Sequence, residues 1–173
     1  VGSEMCIRDS FMDSAHFVLA AFVAMVWCFE RVFIKTAPGR FRLNVIGAID
    51  ATSQKLTALY NTTYITADTV VLLLKEIARQ YAGLPVYIIL DNARYQHCKL
   101  VKETALKLNI NLVFLPPYSP NLNLIERLWK FVKAEVCAAN YFQDAKTFQN
   151  SIIDFLSQLN RKSMKKQLKT RLA

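Results

Sequence analysis

Several residue types are scarce in this chain, and each scarcity excludes a class of protein. Four glycines and five prolines among 173 residues exclude a collagen-like chain or a disordered chain rich in proline and glycine. The four cysteines are far apart and form no C-x-x-C pair, which argues against a zinc site and a compact disulfide framework. We therefore expect reduced thiols and a cytoplasmic location.

Long hydrophobic runs are also missing. The longest apolar run, residues 17–29, is shorter than the roughly twenty residues that a membrane-spanning helix needs, and His16 and Glu30 bound it. We expect no membrane partner. The only two histidines, His16 and His97, are distant in sequence and lack nearby cysteine ligands, so each is interpreted as structural or substrate-facing rather than as part of a zinc site.

The first ten residues stand apart from the rest. They carry Glu4, Arg8 and Asp9 and no apolar stretch of the kind found in a signal peptide. The string 1–10 resembles translated sequencing-adapter read-through, and we interpret it as a non-native segment that is left out of the fold prediction. Residues 11–160 are predicted to form one domain, followed by a basic tail at 161–173.

Hydrophobic residues and positive charge are abundant. A hydrophobic content of 53% over 173 residues is enough for one packed core. The net charge of +9 indicates an anionic partner, of which nucleic acid is the commonest. The tail has several lysines and arginines and no acid, so two readings stay open, a solvated tail and a phosphate-binding one.

Hydrophobic periodicity predicts an α/β domain with a mixed sheet of about five strands. A first strand is predicted to end near Met12 with Asp13 as its last inward residue, whereas residues 17–34 have no clean period. Further strands are predicted at 41–49, where Gly47 could form a bulge, and at 55–60, 86–90 and 112–115. Helices are predicted at 66–81, at 96–108 with Leu100 among its inward residues, at 120–136 and at 148–159. Ser119 is expected to cap the third helix, whose buried stripe includes Leu122 and Trp129.

Three carboxylates are the candidate site residues. Asp91 ends the apolar strand 86–90, Glu126 borders the buried stripe of the third helix, and Asp13 follows the first strand. Carboxylate oxygens suit a hard divalent cation, and the carboxyl ends of parallel strands meet in the crevice where α/β sheets bind ligands. The sequence therefore predicts a magnesium site.

Each carboxylate also has an ordinary structural interpretation. Asp91 could cap the helix that follows it, and Glu126 could pair with Lys130 one turn along the third helix. Asp13 could cap a helix, and Asp50 competes with it as an acid at the end of a strand, although Asp50 opens a polar turn where aspartate is common. Spacing alone leaves these alternatives open.

Four segments of the chain resemble the catalytic domain of DDE-superfamily transposases of bacterial insertion sequences, in the mariner-like branch. They are FMDSAHF (11–17), NVIGA (44–48), LDNARYQH (90–97) and LPPYSPNLNLIERLWK (115–130). The resemblance implies a ribonuclease-H-like fold, a mixed five-stranded sheet flanked by helices in which the first and fourth strands are adjacent. It also implies that Asp13, Asp91 and Glu126 are the catalytic and metal-binding triad.

The resemblance further implies the chemistry and the partners. The expected cofactor is Mg²⁺ or Mn²⁺, as two ions, and the expected reaction is cleavage of transposon ends by water followed by attack of the freed 3′-hydroxyl on target DNA. The expected partners are DNA and, in the full-length protein, a second copy in a homodimer associated with the nucleoid. Candidate DNA-binding residues are Arg94, His97, Arg127, Lys130, Lys162, Lys165 and Lys166.

Two other functions stay open. Members of the family carry helix-turn-helix modules before the catalytic domain, and this chain has none, so we expect it to lack recognition of specific transposon ends. A non-catalytic DNA-binding remnant of a transposase is the main alternative. A hydrolase or phosphotransfer domain that uses Asp91 alone is a third, but it leaves Glu126 and the Pro-Pro-Tyr-Ser-Pro segment at 116–120 unexplained.

Overall fold

The computed structural model describes residues 7–19, 41–116, 122–137 and 140–161. The strands are β1 Arg8–Leu19, β2 Phe41–Asp50, β3 Leu56–Asn61, β4 Val86–Leu90 and β5 Ile110–Phe114. The helices are α1 Ala67–Gln80, α2 Lys99–Lys107, α3 Leu124–Val132 and α4 Ala145–Leu159, and a π-helical turn, Lys133–Cys137, continues α3. None of the helices in this part of the chain has the length and apolar content to cross a membrane.

The five strands form one mixed sheet in the order β3-β2-β1-β4-β5. β1 pairs antiparallel with β2 and parallel with β4, and β4 pairs parallel with β5. β1 is therefore the central strand. This order confirms the predicted ribonuclease-H-like sheet, including the adjacency of the first and fourth strands.

Helices cover both faces of the sheet. Because side chains alternate along a strand, β1 sends Met12 to one face and Ala15 and Phe17 to the other. The face of Met12 packs against α1 and α2 through residues such as Leu73 and Val101. The opposite face packs against α3 and α4. Asp13 lies on this second side of β1, below α3.

The prediction for α1 is confirmed, because the helix follows Thr66 and buries Val70, Leu73, Leu74 and Ile77. The prediction that Leu100 of α2 points inward is wrong. This side chain is 46% exposed, since α2 begins only at Lys99 and turns Val101 and Ala105 toward the sheet.

The predicted end of the first strand is also wrong. β1 does not stop at Met12 but continues to Leu19, so Asp13 lies within the strand rather than at its end. The extension is stable because Phe17 and Leu19 enter the core while the backbone stays paired with β2 as far as Leu19 and Phe41. Residues 20–34 of the unassigned stretch lie outside the described residues.

The fold prediction excluded residues 1–10, but three of these residues belong to the sheet. Arg8, Asp9 and Ser10 begin β1, where they pair with β4, and Ser10 is buried. The adapter-derived origin of the segment stays a prediction, but residues 8–10 take part in the fold.

The third helix begins later than predicted. The proposed cap Ser119 and first helical residue Pro120 lie outside the described residues, and α3 begins at Leu124 after Asn123. Leu122 was predicted to be buried, but it precedes the helix and is 56% exposed. A bulge at Gly47 was also predicted, yet the pairing of β2 runs without interruption through this residue.

Candidate active site

The sheet brings the two aspartates together. Met12 of β1 pairs in parallel with Leu90, the last residue of β4. The next residue in each case is an aspartate, so Asp13 and Asp91 lie side by side. Neighbouring strands lie about 4.8 Å apart. Asp13 is partly buried and Asp91 is exposed, so the pair lies near the protein surface.

A buried asparagine ties α3, and with it Glu126, to the same part of β1. The Asn123 side-chain Nδ2 donates a hydrogen bond to the carbonyl oxygen of Met12 at 3.3 Å, and Asn123 is only 2% exposed. The backbone N–H of Glu126 donates to the carbonyl of Asn123 at 3.1 Å. Glu126 therefore lies in the first helical turn beside the strand that carries Asp13.

The pKa of Asp13 depends on the charges of the other two carboxylates. Burial, followed by the charges of Asp91 and Glu126, raises the pKa of Asp13 to about 7, although the hydrogen bond from the Ser14 backbone and the nearby indole N–H of Trp129 act in the opposite direction. Like charges raise a carboxylate pKa only from nearby. Asp91 and Glu126 thus both lie within electrostatic reach of Asp13.

The carboxylate groups of these three residues are of the ligand type that a divalent cation prefers. Carboxylate oxygens are the ligands that Mg²⁺ prefers, and a cation would offset the repulsion that Asp91 and Glu126 exert on Asp13. In the described part of the chain, however, no three His, Cys, Asp or Glu side chains converge closely enough to hold one ion.

The ordinary interpretations of Asp91 and Glu126 do not agree with the structure. Asp91 does not cap α2, because that helix begins after Cys98, several residues further on. Between Glu126 and Lys130, both described on α3, no ion pair is found, whereas α1 and α2 each have one.

Asp50 has the structural role predicted for it. It is 1% exposed, and its Oδ1 accepts a hydrogen bond from the backbone N–H of Thr52 at 3.0 Å in the turn between β2 and β3. It pairs with Ser10, three residues before Asp13 on β1. Asp50 is thus a turn residue and does not replace Asp13.

Four of the candidate DNA-binding residues are described, and they lie in two places. Arg94 and His97 are exposed after β4, where the His97 ring stacks on Phe114 with ring centroids 3.8 Å apart. Arg127 and Lys130 are exposed on α3. The remaining three candidates, Lys162, Lys165 and Lys166, lie outside the described residues.

A small polar pocket that the sequence did not predict lies near Asp13. Its volume is about 160 Å³, and the Tyr95 hydroxyl meets the Ser14 hydroxyl at 2.9 Å on one side. Burial and then the positive charges of Arg42 and Lys133 lower the pKa of His16, which lines the pocket. Both Tyr95 and His16 lie inside the motifs, but only the fold shows that they line the same pocket.

Asn123 and Trp129 were also missed as site residues. The sequence marks Trp129 only as part of the buried stripe of the third helix, and it gives Asn123 no role at all. Their position beside β1 depends on how α3 docks on the sheet, which periodicity along one helix does not determine.

A mixed five-stranded sheet in the order β3-β2-β1-β4-β5, with helices on both faces, defines the ribonuclease-H-like class of folds. Within this class, the chain belongs to the DDE superfamily endonuclease family, which it matches over residues 11–149.

Similar proteins were found by sequence and by structure. The chain is 36% identical over 72 residues to the uncharacterized protein y4pE/y4sA of Sinorhizobium fredii (strain NBRC 101917 / NGR234), a match that covers 41% of this chain and 51% of that protein. The Mos1 mariner paired-end complex with Mn is 15% identical, with a TM-score of 0.67 over 95% of this chain and 53% of that chain.

A second solved structure is the catalytic core domain of BIV integrase. It is 17% identical, with a TM-score of 0.57 over 89% of this chain and 84% of that chain. At these identities the structural likeness shows the fold alone. The chain spans about half the length of the Sinorhizobium relative and of the Mos1 transposase.

Proposed function

We propose that this chain is a transposase catalytic domain in which Asp13, Asp91 and Glu126 hold divalent metal and cleave DNA. The observation that carries the proposal is that Met12 of β1 pairs with Leu90 of β4 and accepts a hydrogen bond from Asn123 at the start of α3, since Asp13, Asp91 and Glu126 closely follow these three residues in sequence. Membership of the DDE superfamily endonuclease family supports the same assignment.

The reaction consists of two phosphoryl transfers without a covalent enzyme intermediate. In the first, a water oxygen attacks phosphorus at the transposon end, the bond to the 3′-oxygen breaks, and that oxygen leaves as a 3′-hydroxyl. In the second, this hydroxyl attacks a target phosphodiester and displaces another 3′-oxygen, while its own proton passes to solvent. Mg²⁺ or Mn²⁺, when bound, would supply activation of the attacking oxygen and stabilisation of the leaving oxygen.

In this reaction the residues of the chain hold and orient the reacting groups. Asp13 and Asp91 present oxygens from adjacent strands, and Asn123 keeps the first turn of α3, with Glu126, against β1. Charge supports DNA as the substrate, because the chain has a net charge of +9 and exposes Arg94 and Lys130 on the segments that carry Asp91 and Glu126. A homodimer on paired transposon ends, associated with the nucleoid, belongs to the same proposal.

Thermal unfolding in the presence of metal tests the assignment. Metal that binds only the folded state at one hundred times its Kd stabilises by about 2.7 kcal/mol, which for a domain of this size raises Tm by roughly 5–10 °C. We expect this rise with Mg²⁺ or Mn²⁺ for the wild type and its loss in Asp91→Asn and Glu126→Gln. Asp154→Asn, an exposed acid on α4, is the matched control and should keep the rise.

The absence of a converged trio of ligands among the described residues favours one rival, a non-catalytic DNA-binding remnant. The two functions differ in a nicking assay on a labelled duplex. The proposed enzyme cuts the duplex in Mn²⁺ and loses this activity in Asp91→Asn. A wild type that binds the duplex, shows no metal-dependent rise in Tm and leaves the strands intact would establish the remnant instead.

A further inference from the structure

Trp129 occupies an unusual place between α3 and the sheet. It lies one turn after Glu126, is 4% exposed, and its ring meets Phe17 edge to face, with centroids 6.4 Å apart and an interplanar angle of 85°. A Cβ added at Gly47 would lie 3.0 Å from Cη2 and 3.2 Å from Cζ2 of the indole. The ring therefore packs directly on the backbone of β2 at Gly47.

Gly47 is the β2 residue that pairs with Asp13 on β1. An indole seated on Gly47 thus lies beside Asp13. Its Nε1 is fully buried and has no completed hydrogen bond in the structure, yet it is close enough to the Asp13 carboxylate to act on it as a donor. Because a buried N–H without a partner costs free energy, this arrangement needs an explanation.

We propose that Trp129 is a positioning residue whose indole N–H holds one carboxylate oxygen of Asp13 and leaves the other oxygen for a cation. Gly47 provides the space that lets the ring reach this position, since any side chain there would push the indole away. Carboxylates that ligate metals are commonly held by such a second hydrogen bond. The part that concerns a cation rests on the proposed function, whereas the hydrogen bond does not.

The hydrogen bond is tested in the metal-free protein by NMR. The chain has two tryptophans, so Trp27→Phe leaves a single indole ¹H–¹⁵N signal, that of Trp129. We expect Asp13→Asn to move this signal upfield, because a neutral amide is a weaker acceptor than a carboxylate. Asp154→Asn is the control and should leave it in place. A folded Asp13→Asn variant with an unchanged indole signal would overturn the inference.

Metal affinity, measured by calorimetry with Mg²⁺ alone, tests the consequence. Removal of a group that orients a metal ligand typically costs 10–100-fold in affinity, and we expect about a tenfold loss in Trp129→Phe. Gly47→Ala, which displaces the ring by a few tenths of an ångström, should give a smaller loss. Phe131→Leu trims another buried aromatic of α3 and should lower Tm without weakening Mg²⁺ binding.

The outcomes of the two tests are separable. A Trp129→Phe variant that binds Mg²⁺ as tightly as the wild type overturns the positioning role. A wild type that binds no Mg²⁺ overturns the proposed metal function, and the NMR signal then still decides whether Trp129 holds Asp13.

Discussion

At the scale of single residues, Asp13 is the acid whose ionisation depends most strongly on the fold. Burial, with the charges of Asp91 and Glu126, raises its pKa from 3.8 to about 7. A raised carboxylate pKa means that the folded state holds the proton more tightly than the unfolded state does. This contribution is therefore fully present below about pH 4 and is lost as the pH rises toward 7.

The first prediction concerns this loss. In the metal-free protein, the contribution of Asp13 to the free energy of unfolding should fall between pH 4 and pH 7, by up to about 1.4 kcal/mol per pH unit. Asp13→Asn should flatten this part of the profile, which urea unfolding at several pH values measures. Asp154→Asn should leave the slope unchanged. Identical slopes in Asp13→Asn and wild type would contradict the raised pKa.

Asn123 gives a second prediction at this scale. Asn123→Ala removes a buried hydrogen bond to the Met12 carbonyl, so the free energy of unfolding should fall by about 1–3 kcal/mol. Chemical denaturation measures the change. Asn111→Ala, at an exposed site on β5, is the control and should lie within about 0.5 kcal/mol of wild type. An equally mild effect at both sites would mean that Asn123 does not anchor α3.

The sequence was sufficient to select Asp13, Asp91 and Glu126 as candidates but not to find their neighbours. An acid after a buried strand stands out in the sequence, as does an acid on the edge of a helical stripe. The roles of Asn123, Trp129 and Gly47 depend instead on contacts between segments far apart in sequence. Such contacts follow from the docking of α3 on the sheet, for which local pattern carries no information.

At the scale of elements, the accuracy of the predictions followed the amphipathic character of each segment. α1 has one apolar and one polar face, so its bounds and its buried residues could be read from periodicity. β1 was misjudged because it is central and carries apolar side chains on both faces, including the exposed Val18, so no alternation marks where it ends. The third helix was predicted to begin before Asn123 because Ser119 and Pro120 are residue types typical of a helix start.

An element-scale prediction concerns the edge strand β3. The side chain of Asn160, just after α4, bonds both backbone groups of Leu56, with Nδ2 donating to the carbonyl oxygen at 2.8 Å and Oδ1 accepting from the N–H at 2.8 Å. These bonds join α4 to a strand that has a partner on one side only. Asn160→Ala should therefore lower the free energy of unfolding by about 1–3 kcal/mol.

Hydrogen exchange locates this effect. We expect the Leu56 amide to exchange at least about tenfold faster in Asn160→Ala, since each 1.4 kcal/mol of local opening free energy corresponds to a factor of ten. Asn150→Ala, exposed within α4, is the matched control. Unchanged exchange at Leu56 in Asn160→Ala would show that β3 does not depend on this contact.

At the scale of the whole molecule, charge and fold act on the same surface. The acids repel one another and would repel DNA phosphates, yet the chain as a whole carries +9. Exposed cations at Arg94 and Lys130 follow Asp91 and Glu126 at short distances along the chain. A negative centre within a positive surface is the arrangement expected where a bound cation bridges carboxylates and phosphates.

The last prediction follows from this distribution. Each phosphate that the protein neutralises adds about −0.9 to the slope of log K against log[salt] on duplex DNA. Arg94→Ala and Lys130→Ala should each make the measured slope shallower by about 0.9, and the double variant by about twice as much, in fluorescence-anisotropy titrations over a range of salt concentrations. Lys75→Ala removes an exposed cation from α1, which packs on the face of the sheet opposite to α3. This variant should leave the slope unchanged. Equal slopes for all of these variants would mean that DNA binds on another surface, and the acids could then not reach the phosphodiester.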